Sequence, residues 1–153
     1  MSTYRELALE GSSAVDLVVA LYDGIIRFLS TAAEAVDRGD IQGRRVAVKR
    51  ALDIIIHLQA RLRMDIGGRP AEVLSEFYAS IFAQILQASQ SASRVRFEHA
   101  IDCVRNVRDA WKQVAHQQPE GQGMVRATAD SSAQDSVALP YGGEVAERGS
   151  WTA

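Results

Sequence analysis

Cysteine is almost absent from this sequence, and no charge of either sign is in clear excess. The single cysteine, Cys103, excludes a disulfide framework and a cysteine-rich zinc site. A formal net charge of −2 excludes a globally basic nucleic-acid binder. The longest apolar run, Leu17 to Tyr22, has six residues, whereas a membrane-spanning helix needs about 20. The first ten residues also lack the apolar stretch of a secretory signal. These absences predict a soluble, reduced, cytoplasmic protein.

The composition of the chain changes near Gln117. Residues 1–116 contain 15 Lys+Arg and 14 Asp+Glu, whereas residues 117–153 contain two and five, and this last part holds five of the eleven glycines. It has no helical or alternating hydrophobic period, so it cannot bury enough apolar surface to offset the entropy lost on ordering. We therefore predict one folded domain over residues 1–116 and a disordered, acidic tail over residues 117–153.

Hydrophobic residues in the first 116 positions recur with the 3.6-residue period of an α-helix, and no segment alternates as a strand would. Ser13 is the expected N-cap of the first helix, Gly39 its stop, and Gly67-Gly68 the stop of the second. The predicted helices cover about residues 14–38, 41–65, 70 onward and 93–117. Connections of two to five residues make neighbouring helices antiparallel, so the predicted fold class is an all-α, up-down four-helix bundle.

The second and third helices carry more apolar residues than a four-helix core requires. Beside the core stripe, Leu52 and Ile56 form a second line on one helix, and Phe82 and Leu86 form one on the other. The run Ile54-Ile55-Ile56 points in three directions about 100° apart, so the core cannot bury all three equally. Two interpretations stay open, a wide core face and an exposed groove that receives a helix of another protein.

Residues that carry chemistry are few. No acid/base pair, nucleophile arrangement or paired Glu-x-x-His motif occurs, so neither an enzyme nor a metal or cofactor site is predicted. A basic cluster on the second helix could contact phosphates, which leaves a nucleic-acid-binding bundle as an alternative; its members are Arg44, Arg45, Lys49 and Arg50. A solvated basic face is the favoured interpretation. Gly24, in mid-helix, is expected where the backbone of another helix approaches closely.

Several short segments of the sequence form a recognisable pattern when their order and spacing are considered together. Tyr4 precedes the first predicted helix, which contains the stretch Leu17-Val18-Val19-Ala20-Leu21-Tyr22-Asp23-Gly24. The second helix contains Arg50-Ala51, then Ile54-Ile55 and Leu58, and the fourth contains Asp109-Ala110-Trp111. In this order and spacing, the chain resembles the FliS-type flagellar secretion chaperones over about residues 4–116.

The resemblance implies a four-helix bundle that binds the C-terminal segment of flagellin, prevents its premature polymerisation and supports its delivery to the flagellar type III export apparatus. It implies no cofactor, nucleic acid or membrane insertion. The expected partner-binding residues lie on the second and third helices: Leu52, Ile55, Ile56, Leu58, Tyr78, Ile81, Phe82 and Leu86. In the family the N-terminal segment can lie over part of this groove when the partner is absent, and the residues of this sequence suited to that role are Tyr4, Leu7 and Leu9. The fourth helix around Val107 and Val114 is the next candidate surface. The alternative is a general helical adaptor for some other amphipathic helix.

Overall fold

Four helices and their short connections make up residues 2–127. A computed structural model describes the backbone of residues 2–127 and the side chains of residues 14–116. The helices are α1 (Ser2–Arg38), α2 (Ile41–Ala60), α3 (Gly68–Gln90) and α4 (Arg94–Ala127). Within residues 2–127 there is no strand, and none of the helices is both long and apolar enough to cross a membrane. The predicted all-α fold class is confirmed.

The helices are arranged in a ring in which α1 and α3 each pack against both α2 and α4. Two ion pairs set α1 antiparallel to α4. Arg94, at the start of α4, meets Asp37 at the end of α1, and Arg108 Nη1 donates to Asp23 Oδ1 at 2.9 Å. The largest fully buried side chains come from all four helices: Tyr22, Ile25, Leu29, Ile55, Leu58, Tyr78, Ile81, Ile85, Phe97 and Val104. One core therefore holds the bundle together.

The turn between α1 and α2 follows the sequence signals closely. Gly39 has a φ of +68°, a conformation that glycine adopts without steric cost, and it ends α1 as predicted. Asp40 then caps α2, because its Oδ1 accepts a hydrogen bond of 2.9 Å from the backbone N–H of Gly43.

The predicted start of the first helix is wrong. We expected Ser13 to be an N-cap, but α1 begins at Ser2 and passes through Ser13 without a break. The segment from Arg5 to Glu10 consists of good helix formers, and a glycine or serine in a helix interior costs only about 1 kcal/mol or less relative to alanine. Packing of the following turns onto the core outweighs that cost. The backbone of Tyr4, Leu7 and Leu9 is therefore helical, while their side chains lie outside the described residues.

The predicted end of the second helix is also wrong. α2 ends at Ala60 rather than near Asp65, and a connection of seven residues, 61–67, leads to α3. Leu62 is buried within this connection. It continues the apolar spacing of α2, which is why the sequence predicts one more helical turn than the structure has. Gly67 is the N-cap of α3, and Gly68 has a φ of +59°. The two glycines thus start the third helix instead of ending the second.

The fourth helix is longer than predicted. We expected it to end at Gln117, before Pro119, but α4 continues to Ala127. A proline inside a helix removes one N–H donor, and its ring crowds the carbonyl group four residues earlier, but this helix continues through Pro119, and most of the residues from Glu120 to Ala127 are compatible with a helix. The division into a domain over 1–116 and a tail over 117–153 stays a prediction, and residues 128–153 lie outside the described residues.

Gly24 lies opposite α2, but the nearest atom of α2 belongs to a side chain and not to the backbone that we expected there. A Cβ atom at this residue would be 3.1 Å from Cδ1 of Ile54 on α2. Such a distance is tighter than an ordinary van der Waals contact, so the absence of a side chain allows the two helices to pack here.

Candidate partner-binding surface

An apolar groove of about 350 Å³ lies between α2 and α3, and we call it the α2/α3 groove. From α2 it is lined by Ile55, Ile56, Gln59 and Ala60. From α3 it is lined by Ser75, Tyr78, Ala79 and Phe82. Four of the eight expected partner-binding residues are therefore brought together in one groove: Ile55, Ile56, Tyr78 and Phe82.

The groove has a buried floor and an exposed rim. Ile55 and Tyr78 form the floor and are almost completely buried, whereas Ile56 on the rim has 54% of its surface exposed and Phe82 is half-buried. Ile54, the remaining member of the isoleucine run, is half-buried near Gly24. The expectation that the core could not bury all three isoleucines equally is confirmed. At one end of the groove, Gln59 Nε2 donates to Ser75 Oγ at 3.0 Å.

The other four expected residues do not line the groove. Leu58 and Ile81 lie in the core beneath it and are 1% exposed. Leu52 is half-buried against the core, and Leu86 is 40% exposed. These last two lie one helical turn from Ile56 and Phe82, respectively, so they extend the rim along both helices.

A buried hydrogen bond fixes the floor of the groove to α1. The hydroxyl oxygens of Tyr78 and Tyr22 are 2.7 Å apart, and the two rings meet edge to face with their centroids 6.3 Å apart. Burial raises the pKa of Tyr22 to about 12, while its hydrogen bonds to Tyr78 and Trp111 act in the opposite direction. Tyr22 therefore stays neutral at physiological pH and connects α1, α3 and α4.

Sequence reasoning missed several groove residues that carry a small or polar side chain. Ser75 and Ala79 are four residues apart and lie on the same face of α3 as Phe82. Small residues on the same face as an exposed aromatic residue leave space beside it. Small residues beside an aromatic residue were the sequence signal that could have identified this part of the groove. A surplus of hydrophobic residues indicates only the rim.

A second apolar groove, of about 420 Å³, lies between the start of α3 and the second half of α4; we call it the α3/α4 groove. The helices contribute Arg69, Pro70, Val73 and Leu74 from α3, and Val107, Ala110, Trp111 and Val114 from α4. It contains Val107 and Val114, which we named as the next candidate surface. A third cavity, of about 480 Å³, is lined by four polar or charged residues and Val95, and contains none of the expected partner-binding residues.

The charged and nucleophilic groups do not converge on the α2/α3 groove. In the basic cluster of α2, Lys49 Nζ pairs with Asp53 Oδ2 at 2.9 Å, and both side chains are well exposed. Cys103 is half-buried, with its Sγ 3.8 Å from Nε2 of His99. Among the described side chains, no three His, Cys, Asp or Glu residues are grouped so that they could hold a metal ion. The α2/α3 groove itself is suited to bind apolar side chains.

Antiparallel helices around one core, with apolar grooves on both sides of α3, place this protein among the all-α four-helix bundles. The family model for the flagellar protein FliS matches residues 1–118. The chain belongs to the FliS family, which confirms the resemblance found in its sequence.

Curated relatives agree with this assignment. The chain is 31% identical over 106 residues to the flagellar secretion chaperone FliS of Vibrio cholerae, an alignment that covers 69% of this chain and 78% of the relative. It is 31% identical over 111 residues to the protein of the same name from Salmonella typhimurium, covering 72% and 82%. With the FliS of Campylobacter jejuni it shares 32% identity over 98 residues, covering 64% and 77%. The family is one of chaperones rather than known enzymes, and membership supports a chaperone role in flagellar export.

Proposed function

We propose that this protein is a cytoplasmic export chaperone for flagellin, and that it binds the C-terminal helical segment of flagellin in the α2/α3 groove. Its membership of a family of flagellar secretion chaperones supports the role. The observation that carries the choice of surface is the rim of the groove, where Ile56 is more than half exposed and faces a half-buried Phe82. An exposed apolar rim along a groove is the kind of surface that marks a contact with another protein.

The energetics require a long contact. Ordering an unfolded segment as it binds costs about 2–5 kcal/mol. Burying one large apolar side chain completely gains about 1.5–3 kcal/mol, so the remaining exposure of Ile56 and Leu86 is worth only part of this. The bound segment must therefore bury an apolar face of its own and extend along the rim toward Leu52 and Leu86. An amphipathic helix with apolar residues at helical spacing fits both requirements.

Burial of that apolar face explains how binding would prevent polymerisation. The terminal helices of flagellin assemble through apolar faces, so a segment held in the α2/α3 groove cannot pair with another flagellin. Release at the flagellar type III export apparatus would make the same face available again. In this scheme Tyr4, Leu7 and Leu9 cover part of the groove when flagellin is absent, which requires their segment to leave the helical path of α1 that it follows in this structure.

A double variant tests the proposed surface. Ile56→Asp with Phe82→Asp places two carboxylates where the bound helix must remove water, and an unpaired buried charge is strongly unfavourable. Both residues lie at the rim, so the fold should survive, as judged by helical circular dichroism and a cooperative melt. Affinity for flagellin, measured by isothermal titration calorimetry, should fall by at least about tenfold, or about 1.4 kcal/mol.

The matched control introduces the same two charges elsewhere. Val46→Asp with Val95→Asp alters residues that are 42% and 73% exposed and do not line the α2/α3 groove; this variant should bind flagellin as the unmodified protein does. Wild-type affinity in the Ile56/Phe82 variant would place the contact elsewhere, and unfolding of that variant would show that the rim belongs to the core. Equal binding to flagellin without its C-terminal segment would favour a general helical adaptor.

A further inference from the structure

The α3/α4 groove is an apolar surface that the proposed flagellin site does not use. The buried indole of Trp111 lies at its base, and Val73, which is 46% exposed, lies at its edge. Val107 and Val114 are half-buried and lie two turns apart along the same side of α4. The groove is thus an elongated strip parallel to α4.

The chain itself contains a suitable segment. Residues 128–153 lie outside the described structure, and they are mostly small or polar, with four acidic residues and one arginine. Their longest apolar stretch is the run Val137-Ala138-Leu139-Pro140-Tyr141, which Ser136 precedes and Gly142-Gly143 follows. Pro140 disfavours a helix at Leu139 and favours an extended chain there. Extended proline-containing segments bind in grooves that contain aromatic side chains.

The distances allow this segment to reach the groove. α4 continues 13 residues beyond Val114 to its end at Ala127, which is about 20 Å at 1.5 Å per residue. Residues 128–136 can span at most about 30 Å when extended, at 3.3 Å per residue. The chain can therefore turn back after α4 and place Val137 beside Val114. The run to Tyr141 then covers about 15 Å, which exceeds the roughly 10 Å between Val114 and Val107 along the helix.

We propose that residues 137–141 of this chain bind back onto the α3/α4 groove as an extended segment. Val137, Leu139 and Tyr141 cover the apolar strip beside Val73 that runs from Val114 past Trp111 to Val107. The segment and the groove belong to the same chain, so the linker confers a high local concentration, and a weak contact is enough to keep the groove occupied.

A disulfide-trapping experiment tests this contact in the full-length protein. In a Cys103→Ser background, Val73→Cys places a thiol at the groove edge and Val137→Cys places one in the segment, on the same face of the extended chain as Leu139 and Tyr141, which are retained. Under mild oxidation in dilute solution, an intramolecular disulfide should form rapidly, visible as a faster-migrating monomer on a non-reducing gel. Circular dichroism verifies the fold, and Arg69→Cys, at a well-exposed position, replaces Val73→Cys if that variant is unstable.

The control keeps the length of the linker and removes the apolar contact. Adding Leu139→Ser and Tyr141→Ser should slow formation of the disulfide by at least about tenfold, because only random encounters remain. Equal rates with the native and the polar segment would overturn the proposal. Disulfide-linked dimers in place of the monomer would also overturn it, since they would show that a second copy occupies the groove.

Discussion

The buried hydroxyl of Tyr22 gives the protein a specific sensitivity to alkaline pH. Its pKa is raised to about 12, mainly by burial, whereas an unfolded tyrosine loses its proton near pH 10. The folded state therefore holds this proton more tightly than the unfolded state. The stability that results is fully present below about pH 10 and is lost as the pH rises through about 12.

The magnitude follows from the shift of about two pKa units. Each unit corresponds to about 1.36 kcal/mol, so ionisation of Tyr22 should remove about 3 kcal/mol of unfolding free energy over this pH range. Tyr22→Phe abolishes the titration and also removes the hydrogen bonds to Tyr78 and Trp111. Near neutral pH this variant should be less stable by about 1–3 kcal/mol, since each buried hydrogen bond contributes about 1 kcal/mol.

Urea denaturation followed by circular dichroism, from about pH 8 to about pH 11.5, measures both effects in the unmodified protein and in Tyr22→Phe. The difference in unfolding free energy between them should be constant up to about pH 10 and then shrink, so that the two curves converge. Parallel curves throughout would show that Tyr22 does not titrate in this range. Equal stability near neutral pH would contradict the hydrogen bonds that join α1 to α3 and α4.

Three further changes test the packing, a turn and the tail. Gly24→Leu should lower the unfolding free energy by about 1–3 kcal/mol through contact with Ile54, whereas Ala20→Leu, at an exposed site one turn earlier, should leave the melting temperature nearly unchanged. Ala92→Gly should raise the unfolding free energy by up to about 1 kcal/mol in urea titrations, because Ala92 has a φ of +47°. Removal of residues 118–153 should preserve a cooperative thermal melt, since the buried core identified within residues 14–116 extends only from Val15 to Trp111.

The bundle could be predicted from the sequence because the buried positions recur at helical spacing. Gly39 marked the end of α1 correctly, since a left-handed backbone position strongly favours glycine. Helix ends without such a signal were misjudged. Leu62 is buried in the connection after α2, because its environment depends on tertiary packing, and Ser13 lies inside α1, because the differences in local helix propensity are small.

The candidate site, like the fold, could be predicted from the sequence only in part. Spacing along α2 and α3 identified which residues share a face, but it could not show how deeply each is buried. Depth depends on the neighbouring helices, which cover Leu58 and Ile81 completely and leave Ile56 open. The hydrogen bond between Tyr22 and Tyr78 joins residues that are 56 positions apart, so no local pattern could reveal it.

The helix α3 lies between the two grooves and contributes residues to both of them. Tyr78 belongs to the α2/α3 groove and Trp111 to the α3/α4 groove, and both side chains hydrogen-bond to the buried hydroxyl of Tyr22. These bonds hold α3 and α4 against α1 from beneath, so both floors are fixed before any ligand binds. Binding to a preformed floor avoids the cost of ordering the protein, which leaves the ordering of the incoming segment as the main entropic loss. Loss of the Tyr22 hydroxyl would therefore weaken the floors of both grooves together, whereas a change at Ile56 or Val73 would affect only one of them.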